Sequence, residues 1–276
     1  MQARSLVTLE IDGAVARLTL ARPGKLNALS AELLEELAAA CAPLADREDV
    51  RVVVLSGGGR AFSAGADLSM FGALTDGGPV ARAAATSGDR AASALEALPQ
   101  VTIAAIHGHC VGGAVVLAAA CDLRVAATDA LFSIPEVDLG IPLAWGGIPR
   151  LLREVPPAVV RDLVLTCREF GADEALAFGL VSRVVPPDDL DTEVAALAGS
   201  LARKARLPVR ATLDAVASHL GIGAPRGWSD ADTLLSAIRD PESRAAGQAY
   251  VARVFRSELS PEAAPGGPAS QDSQEA

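Results

Sequence analysis

The alternation of apolar and polar residues predicts a first half of the chain in which strands and helices alternate. Two alternating stretches, "SLVTLEIDG" and "AVARLTLAR", flank Asp12-Gly13 and predict a β-hairpin. The segment "LSAELLEELAAACAPLA" has helical spacing, and Ser30 stands where it can cap the first turn. The apolar runs "VRVVVLSG" and "QVTIAAIHG" predict buried strands, and "CDLRVAA" and "ALFSIPEVDLG" predict further short strands and loops. This order favours an α/β fold with a mostly parallel sheet covered on both faces.

From about residue 150 the pattern becomes mainly helical. It contains the helix-like segments "PRLLREV", "PAVVRDLVLT", "ADEALAFG" and "LDTEVAALAGSLARKA", with one strand-like segment, "LVSRVV", among them. Two or three more helices are predicted up to Phe255, and residues 258–276, rich in Pro, Gly, Ser, Gln and Glu, are predicted to form a disordered tail. The segment "TDGGPVARAAATSGDR" is small and polar, which suggests a mobile lid over a site.

Composition narrows the class of protein. A chain of 276 residues fits one large domain or two small ones, and its formal charge of −10 argues against nucleic acid as a partner, because phosphates require clustered Lys and Arg. Apolar runs such as "VVLAAAC" are too short to cross a bilayer, and no signal-like segment starts the chain. The four cysteines lack CxxC spacing, which is typical of free, buried thiols in a reducing compartment. We therefore expect a soluble, cytoplasmic protein that does not bind membranes.

Two glycine turns are the candidate site. "GRAFSAGADL", residues 59–68, follows a predicted strand, and four of the nine residues 57–65 are glycines, more than a turn alone requires. "IHGHCVGGAVVLAAACDL", residues 106–123, repeats the order of strand, glycine turn and helix, with Gly112 and Gly113 at the turn. Turns of this kind leave free N–H groups, so two that face each other can hold one oxyanion between two donors. The chain has no GxxxxGK[ST] motif, and "GGGRAFSAG" lacks the GxGxxG order, which excludes a Walker loop and argues against a dinucleotide site.

The motifs "NALS", "GRAFSAGADL", "GGAVVLAAACDLRVA" and "PEVDLGI" occur in an order and spacing that resemble the enoyl-CoA hydratase/isomerase (crotonase) superfamily, over roughly residues 5 to 255. The resemblance implies a crotonase-like spiral of ββα units over residues 1–200 and a helical oligomerisation region over residues 201–257. It also implies a homotrimer or hexamer that acts on acyl-CoA thioesters. Coenzyme A is then part of the substrate, and neither a separate cofactor nor a metal is expected.

The same resemblance assigns the site residues. It places the thioester oxygen between the backbone N–H groups of Ala64 and Gly113, and it gives Asp67 the role of capping or ordering its loop. In the stretch "KLNAL", Lys25 becomes the candidate partner of a CoA phosphate, with a solvated surface lysine as the alternative. The other implied substrate contacts are Leu26, Ala28, Gly65, Ala66, Leu68, Gly112, Val116 and Trp145.

The carboxylates favour one reaction within the superfamily. Family hydratases use two glutamates, and in this chain the first position holds Val116 whereas the second is retained as Glu136. One carboxylate is enough to shift a double bond, because it can remove a proton beside the thioester and return it two carbons along. Apolar neighbours such as Val116 and Ile134 are expected to raise the pKa of Glu136. The 3,2-enoyl-CoA isomerases are similar in having an apolar residue opposite a single glutamate, so isomerisation is favoured over hydration.

Several residues keep two interpretations. Dienoyl-CoA isomerases carry an aspartate about eight residues past the glutamate, where this chain has Ala144 followed by Trp145; this argues against the dienoyl reaction, although Asp138 is near enough to consider. Trp145 either shapes the acyl pocket or packs under the helix that follows. His107 and His109 have a packing or hydrogen-bonding role, or His109 assists proton transfer.

Three other functions stay open at this point. One is an acyl-CoA-binding protein without catalysis, and another is a hydratase or lyase for a specialised thioester. The third is a serine hydrolase that uses Ser63 with a nearby histidine, for which no Asp-oriented triad can be identified.

Overall fold

The computed structural model describes residues 5–75 and 77–220, and between 234 and 252 it describes 234–235, 238–239, 241, 243–245, 247–249 and 251–252. The described strands are β1 (Val7–Asp12), β2 (Val15–Leu20), β3 (Val52–Gly57), β4 (Val101–Ile106), β5 (His109–Val111), β6 (Leu123–Ala127), β7 (Leu131–Ser133), β8 (Phe170–Gly171) and β9 (Arg183–Val185). The α-helices with defined bounds are α1 (Ala31–Ala45), α2 (Ser69–Thr75), α3 (Gly78–Glu96), α4 (Gly113–Ala119), α5 (Gly147–Glu154), α6 (Pro157–Thr166), α7 (Ala172–Ala177), α8 (Leu190–Ala202) and α9 (Arg206–His219).

Two sheets organise the described part of the chain. The larger has the strand order β1-β2-β3-β4-β6-β9, and only its β1–β2 pair is antiparallel. The smaller has the order β5-β7-β8, with β5 and β7 parallel. The sequence-based expectation of an α/β fold with a mostly parallel sheet is confirmed.

The chain passes repeatedly from the large sheet to the small one and then into a helix. Strand β4 belongs to the large sheet, β5 to the small sheet, and α4 follows; β6, β7 and α5 repeat this order. After β3 the chain makes a single bridge to the small sheet, between Ser63 and Cys110, before it enters α2. These repeats are the predicted spiral of ββα units, and they place the start of each helix near the junction of the two sheets.

Both faces of the large sheet are covered, as predicted. Helix α8 packs on one face, against alternate strand residues such as Val52, Val54 and Ile103. The intervening residues, such as Val53 and Leu55, belong to the core shared with α1, α3 and α4. Because neighbouring residues of a strand point to opposite faces, the continuous apolar run of β3 reflects burial on both sides.

The segment predicted to be a mobile lid is helical for most of its length. Residues 78–96 form α3, which packs on α1, and its buried residues are small except for Leu95. The buried residues are Ala81, Ala84, Ala85, Ser87, Gly88, Ala91, Ala92 and Leu95. Small side chains predicted a loose segment, but here they allow a close approach between helices.

The remaining predictions on organisation have different outcomes. The free-thiol prediction is confirmed, since Cys41, Cys110 and Cys121 are buried thiols and Cys167 is a half-buried one. Helix α9 begins the predicted helical region 201–257, whose later part is only partly described, and the tail 258–276 lies outside the described residues. Trimer or hexamer formation and cytoplasmic location stay predictions. In the described part of the chain, every helix is too short or too polar to cross a membrane.

Candidate active site

A small pocket lies where the loop after β3, the start of α4 and the loop before α5 meet. Its cavity volume is about 40 Å³. Glu136 is the only titratable side chain among its described lining residues. These are Ala66, Met70, Leu74, Ala84, Gly113, Glu136, Ile141, Pro142, Leu143, Ala144, Trp145 and Leu234.

The two glycine turns meet at this pocket, as the sequence predicted. The Ser63 N–H donates to the His109 carbonyl at 2.9 Å, and the Val111 N–H donates to the Ser63 carbonyl at 3.1 Å. A side chain at Gly65 would come within 2.7 Å of the Val111 carbonyl oxygen. Glycine at this position therefore allows the first turn to lie directly against the second.

The predicted donor Ala64 needs correction. Its N–H already donates to the Leu26 carbonyl at 2.8 Å, so this amide is occupied. Gly65 has a φ of +87° and turns the chain between Ala64 and Ala66. In the described part of the chain neither the Ala66 N–H nor the Gly113 N–H has a hydrogen-bond acceptor, and both residues line the pocket. The free pair of amides is thus Ala66 and Gly113.

Asn27 holds the first turn in place, and sequence reasoning did not select it. Its side chain is fully buried, and Nδ2 donates to the carbonyls of Gly58, Ala61 and Phe62 at 2.8, 2.8 and 3.2 Å. Its Oδ1 accepts a hydrogen bond from the Arg22 N–H at 2.9 Å. Asn27 has a φ of +54°, a conformation that asparagine tolerates better than most residues. As the only asparagine of the chain, in "KLNAL", it offered a signal that could have been used.

Ser63 belongs to the same polar network. Its hydroxyl donates to the Asn27 carbonyl at 2.8 Å and accepts from the Gly65 N–H at 3.1 Å. The residue is fully buried. This hydroxyl therefore has no access to a substrate, and the serine hydrolase interpretation is wrong.

Asp67 orders the end of the turn, as predicted. Its Oδ1 accepts from the Ser69 N–H at 3.0 Å and from the Ser69 hydroxyl at 2.8 Å, at the point where α2 begins. Its Oδ2 lies 2.9 Å from Arg22 Nη1, and the same guanidinium nitrogen donates to the Ala28 carbonyl. Burial alone would raise the pKa of Asp67, but the bonds from Ser69 and Arg22 outweigh it, and the pKa is lowered. Asp67 lies outside the described lining of the pocket, so its role is to position the turn.

Glu136 carries the titratable group of the pocket. The residue is half-buried, but its Oε2 is buried and has no hydrogen-bond partner among the described residues. Burial raises the pKa of this carboxyl from 4.5 to about 7, as the sequence predicted. A side chain at Gly112 would collide with Glu136 Oε1, and Gly112 also has a φ of +52°. Gly112 therefore makes the space in which the carboxylate sits beside the second turn.

Trp145 both packs and lines the pocket, so both interpretations of it hold. Its indole ring fills the space in front of Gly88 of α3 and Gly113 of α4, where a side chain at either position would collide with the ring. The residue is 6% exposed, and its Nε1 is buried without a partner in the described part of the chain. Its φ of +55° is uncommon for a large aromatic residue, so the backbone there must be held in place by its surroundings.

Arg150 holds the backbone of Trp145 in place. Its guanidinium is fully buried and donates to the carbonyl of Trp145. It also donates to Asp89 at 3.0 Å, to Ser93 at 3.0 Å and to both carboxylate oxygens of Glu96 at 2.9 and 2.7 Å. A buried guanidinium with its donors satisfied fixes the loop before α5 against α3.

Val116 does not reach the pocket. It is fully buried, it lies against Gly147 at the start of α5, and the described lining does not include it. The lining gives the predicted contact of Val116 with the substrate no support, and that contact stays a prediction. Its apolar nature still matters, since no carboxylate stands at this position.

The predicted CoA contacts near the start of the chain lie apart from the small pocket. Lys25 is exposed at the end of a short 3₁₀ turn, Pro23–Lys25, and Leu26 and Ala28 follow as half-buried residues. Their contact with CoA stays a prediction. Leu68 is 46% exposed and lines a second cavity of about 490 Å³, which shares Ile141 with the first.

The two histidines and Asp138 lie outside the described pocket lining. The ring nitrogen Nε2 of His107 is 2.9 Å from the Gly59 carbonyl, which confirms the hydrogen-bonding interpretation. His109 and Asp138 are exposed.

Comparison with known proteins identifies the family. A family model described as enoyl-CoA hydratase/isomerase matches residues 10–253. The probable enoyl-CoA hydratase echA8 of Mycobacterium bovis is 39% identical over 212 residues, covering 76% of this chain and 80% of that protein. The peroxisomal Delta(3,5)-Delta(2,4)-dienoyl-CoA isomerase of Arabidopsis thaliana is 35% identical, covering 86% and 91%. A crystal structure of an enoyl-CoA hydratase/carnithine racemase from Magnetospirillum magneticum superposes with a TM-score of 0.75 at 32% identity, covering 93% and 94%. The resemblance noted from the motifs and the crotonase-like fold are confirmed, and this chain belongs to the enoyl-CoA hydratase/isomerase family.

Proposed function

We propose that this chain is a 3,2-enoyl-CoA isomerase in which Glu136 is the single proton carrier. The observation that supports this most directly is that Glu136 is the one titratable side chain in the described lining of the pocket. Its pKa of about 7 suits a group that must both accept and return a proton near neutral pH.

The thioester carbonyl oxygen accepts hydrogen bonds from the N–H groups of Ala66 and Gly113. These are the amides without acceptors at the meeting point of the two turns. As C2 loses its proton, the electron pair moves toward this oxygen, and the two donors stabilise the developing negative charge. Loss of one such donor typically costs about 10²–10³ in rate.

The Glu136 carboxylate takes the proton from C2 of a 3-enoyl thioester, which gives a dienolate. The same carboxyl then returns the proton to C4, and the double bond ends between C2 and C3. No atom is gained or lost, and Glu136 ends the cycle as the carboxylate with which it began. The apolar wall around the pocket keeps water from competing for the proton.

Hydration would place a water molecule on the same site and would use a second group to hold it. The position that carries the first glutamate in family hydratases is Val116, which is buried behind the wall. Some relatives are named hydratases and others isomerases, so their names do not decide between the two reactions. The proposal of isomerisation is supported by the geometry of this pocket.

A pair of ultraviolet assays tests the proposal. Purified protein is given a 3-enoyl-CoA or a 2-enoyl-CoA, each at short and medium chain length. We expect conjugated absorbance to appear from the 3-enoyl ester, with little loss of absorbance from the 2-enoyl ester. Glu136→Gln should reduce the isomerase rate by about 10³ or more while the affinity for the CoA ester is retained. Asp138→Asn makes the same chemical change two residues away, on an exposed side chain, and should leave the rate unchanged.

Other outcomes select other functions. Rapid loss of the 2-enoyl ester would identify a hydratase with a second proton carrier. Tight binding of acyl-CoA without turnover of either ester would indicate a binding protein or an enzyme for a specialised thioester. A Glu136→Gln variant at full rate would remove Glu136 from the mechanism.

A further inference from the structure

We propose that Trp145 is the floor of the acyl pocket and limits the substrate to short acyl groups of about four carbons. The inference rests on the proposed function in one respect, namely that the acyl group enters the pocket beside Glu136. It names the substrate class, which the family alone leaves open.

The volume of the pocket sets the size of the group. The cavity measures about 40 Å³, and Ala66 and Gly113, the residues proposed to bind the thioester carbonyl, are part of its lining. A cavity this small favours a short acyl chain, of about four carbons, over a long one.

The side chains that line the cavity favour the binding of a hydrocarbon group. Apart from Glu136, the described side chains that surround the cavity are apolar, and they include Met70, Leu74 and Leu143. The polar atom of the indole, Trp145 Nε1, is buried and does not open onto the cavity. A four-carbon chain would meet carbon atoms on every side except at the carboxylate and at the free amides of Ala66 and Gly113.

The indole cannot easily move aside. It sits against Gly88 and Gly113, and the carbonyl of Trp145 is held by the buried guanidinium of Arg150. That guanidinium is itself held by Glu96 and Asp89 of α3. A ring fixed by two helices and a buried ion pair forms a hard end to the pocket.

The larger cavity, of about 490 Å³, is a neighbour of this space. Ile141 lines both cavities, so its side chain lies between them. A long acyl chain would have to displace Ile141 or the indole, and the free energy gained by burying each additional methylene would then be lost.

Binding of saturated acyl-CoA thioesters tests the inference without turnover. Isothermal titration calorimetry with butanoyl-, hexanoyl-, octanoyl- and decanoyl-CoA is carried out on the wild type, Trp145→Ala and Trp145→Phe. We expect the wild type to bind the four-carbon ester at least tenfold more tightly than the eight-carbon ester. Trp145→Ala should remove or reverse this preference. Trp145→Phe keeps a smaller ring in place, should move the optimum toward six carbons, and covers the case in which the alanine variant does not fold.

Two controls test whether the chain-length preference depends on the indole ring of Trp145. Leu152→Ala changes a 45% exposed side chain of α5 outside the described pocket lining and should keep the wild-type preference. The chain has two tryptophans, so Trp228→Phe leaves Trp145 as the single indole, and its fluorescence should change on addition of butanoyl-CoA.

The failures can be told apart. Equal affinity of the wild type for four and eight carbons, or an unchanged preference in Trp145→Ala, would overturn the inference even if isomerisation is found. Tight, length-selective binding without isomerisation would overturn the proposed reaction and leave Trp145 as the floor. If thioesters of every length fail to bind, both proposals are overturned.

Discussion

The two glycine turns that meet at the pocket are positioned by opposite means. The turn after β3 is held by polar side chains: Asn27 binds three of its carbonyls, Ser63 ties it to the preceding loop, and Asp67 ends it. The turn before α4 is positioned by close packing. Because Gly112 and Gly113 have no side chains, Glu136 can pack against the first and Trp145 against the second. Each turn presents a free backbone amide to the same pocket.

The difference predicts how each turn fails. A turn held by hydrogen bonds loses stability when a partner is removed, because buried carbonyls are left unsatisfied. A turn held by missing side chains fails when an atom is added, because the neighbours that fill the space are themselves part of the site. Damage to the first turn should therefore be seen first in unfolding, and damage to the second in catalysis.

The largest effect is expected from Gly112→Ala. The added methyl collides with the Glu136 carboxylate, and the alanine itself must adopt a φ of +52°. The proton carrier is therefore displaced. We expect kcat to fall by about 10³, comparable to the loss of general acid–base catalysis. Steady-state isomerase kinetics measure this. Gly72→Ala adds a methyl in α2 where nothing lies within 4 Å, and it should retain activity.

Asn27→Ala should cost the most stability. It leaves the Gly58, Ala61 and Phe62 carbonyls without this donor, and a loss of about 3–4 kcal/mol in the free energy of unfolding is expected. Urea unfolding measures it. Gln100→Ala removes another buried amide that donates to two carbonyls, at the opposite end of β4 from the second turn. If both variants lose stability and affinity for acyl-CoA to the same extent, Asn27 has no special relation to the site.

The buried Glu136 should make stability depend on pH in an unusual direction. Its folded-state pKa of about 7 exceeds the unfolded value near 4.5, so between these values the folded protein binds more protons than the unfolded chain. Stability therefore falls as pH rises from about 4.5 to 7, by about 3 kcal/mol in total for this group. The Glu136→Gln variant should not show this fall in stability, because glutamine does not titrate. Thermal or urea unfolding of both proteins across this range should show a difference that grows with pH, and parallel curves would contradict the burial of the charge.

The smallest effect is expected from Asp67→Asn. The amide weakens the pair with Arg22, while its side-chain oxygen can still accept from Ser69. The pair is mostly buried, but the asparagine keeps a hydrogen bond to Ser69, so a loss of about 1–2 kcal/mol in unfolding free energy and a change in KM of a few fold are expected. A loss as large as that of Asn27→Ala would show that the ion pair, and not the asparagine, dominates the first turn.

The parts of this structure that sequence patterns predicted are those set by neighbours in the chain. The double-sided burial of β3 follows from an unbroken apolar run, and the Ser30 cap of α1 follows from one residue before a helical period. For β3 and α1 the determining contact is local or is implied by periodicity. The raised pKa of Glu136 was predicted as well, although the burial that causes it comes from distant segments that line the pocket.

The errors arose where distant segments meet. Ala64 and Ala66 differ by two positions, and only the approach of Leu26 shows which of the two amides is occupied. Composition alone did not reveal that residues 78–96 form a helix whose small residues fit against α1. The resemblance assigned Val116 to the substrate, whereas in the structure Val116 is covered by the start of α5.

The packing of Trp145 has an evolutionary consequence. An indole at this position requires glycine both at 88 and at 113, two positions far apart in the chain and in different helices. The three positions should therefore vary together among related sequences, because contacting residues tend to change jointly. Relatives with a small residue at 145 are free to carry larger side chains at 88, and an alignment sorted by this pair should separate relatives by the length of acyl chain they accept.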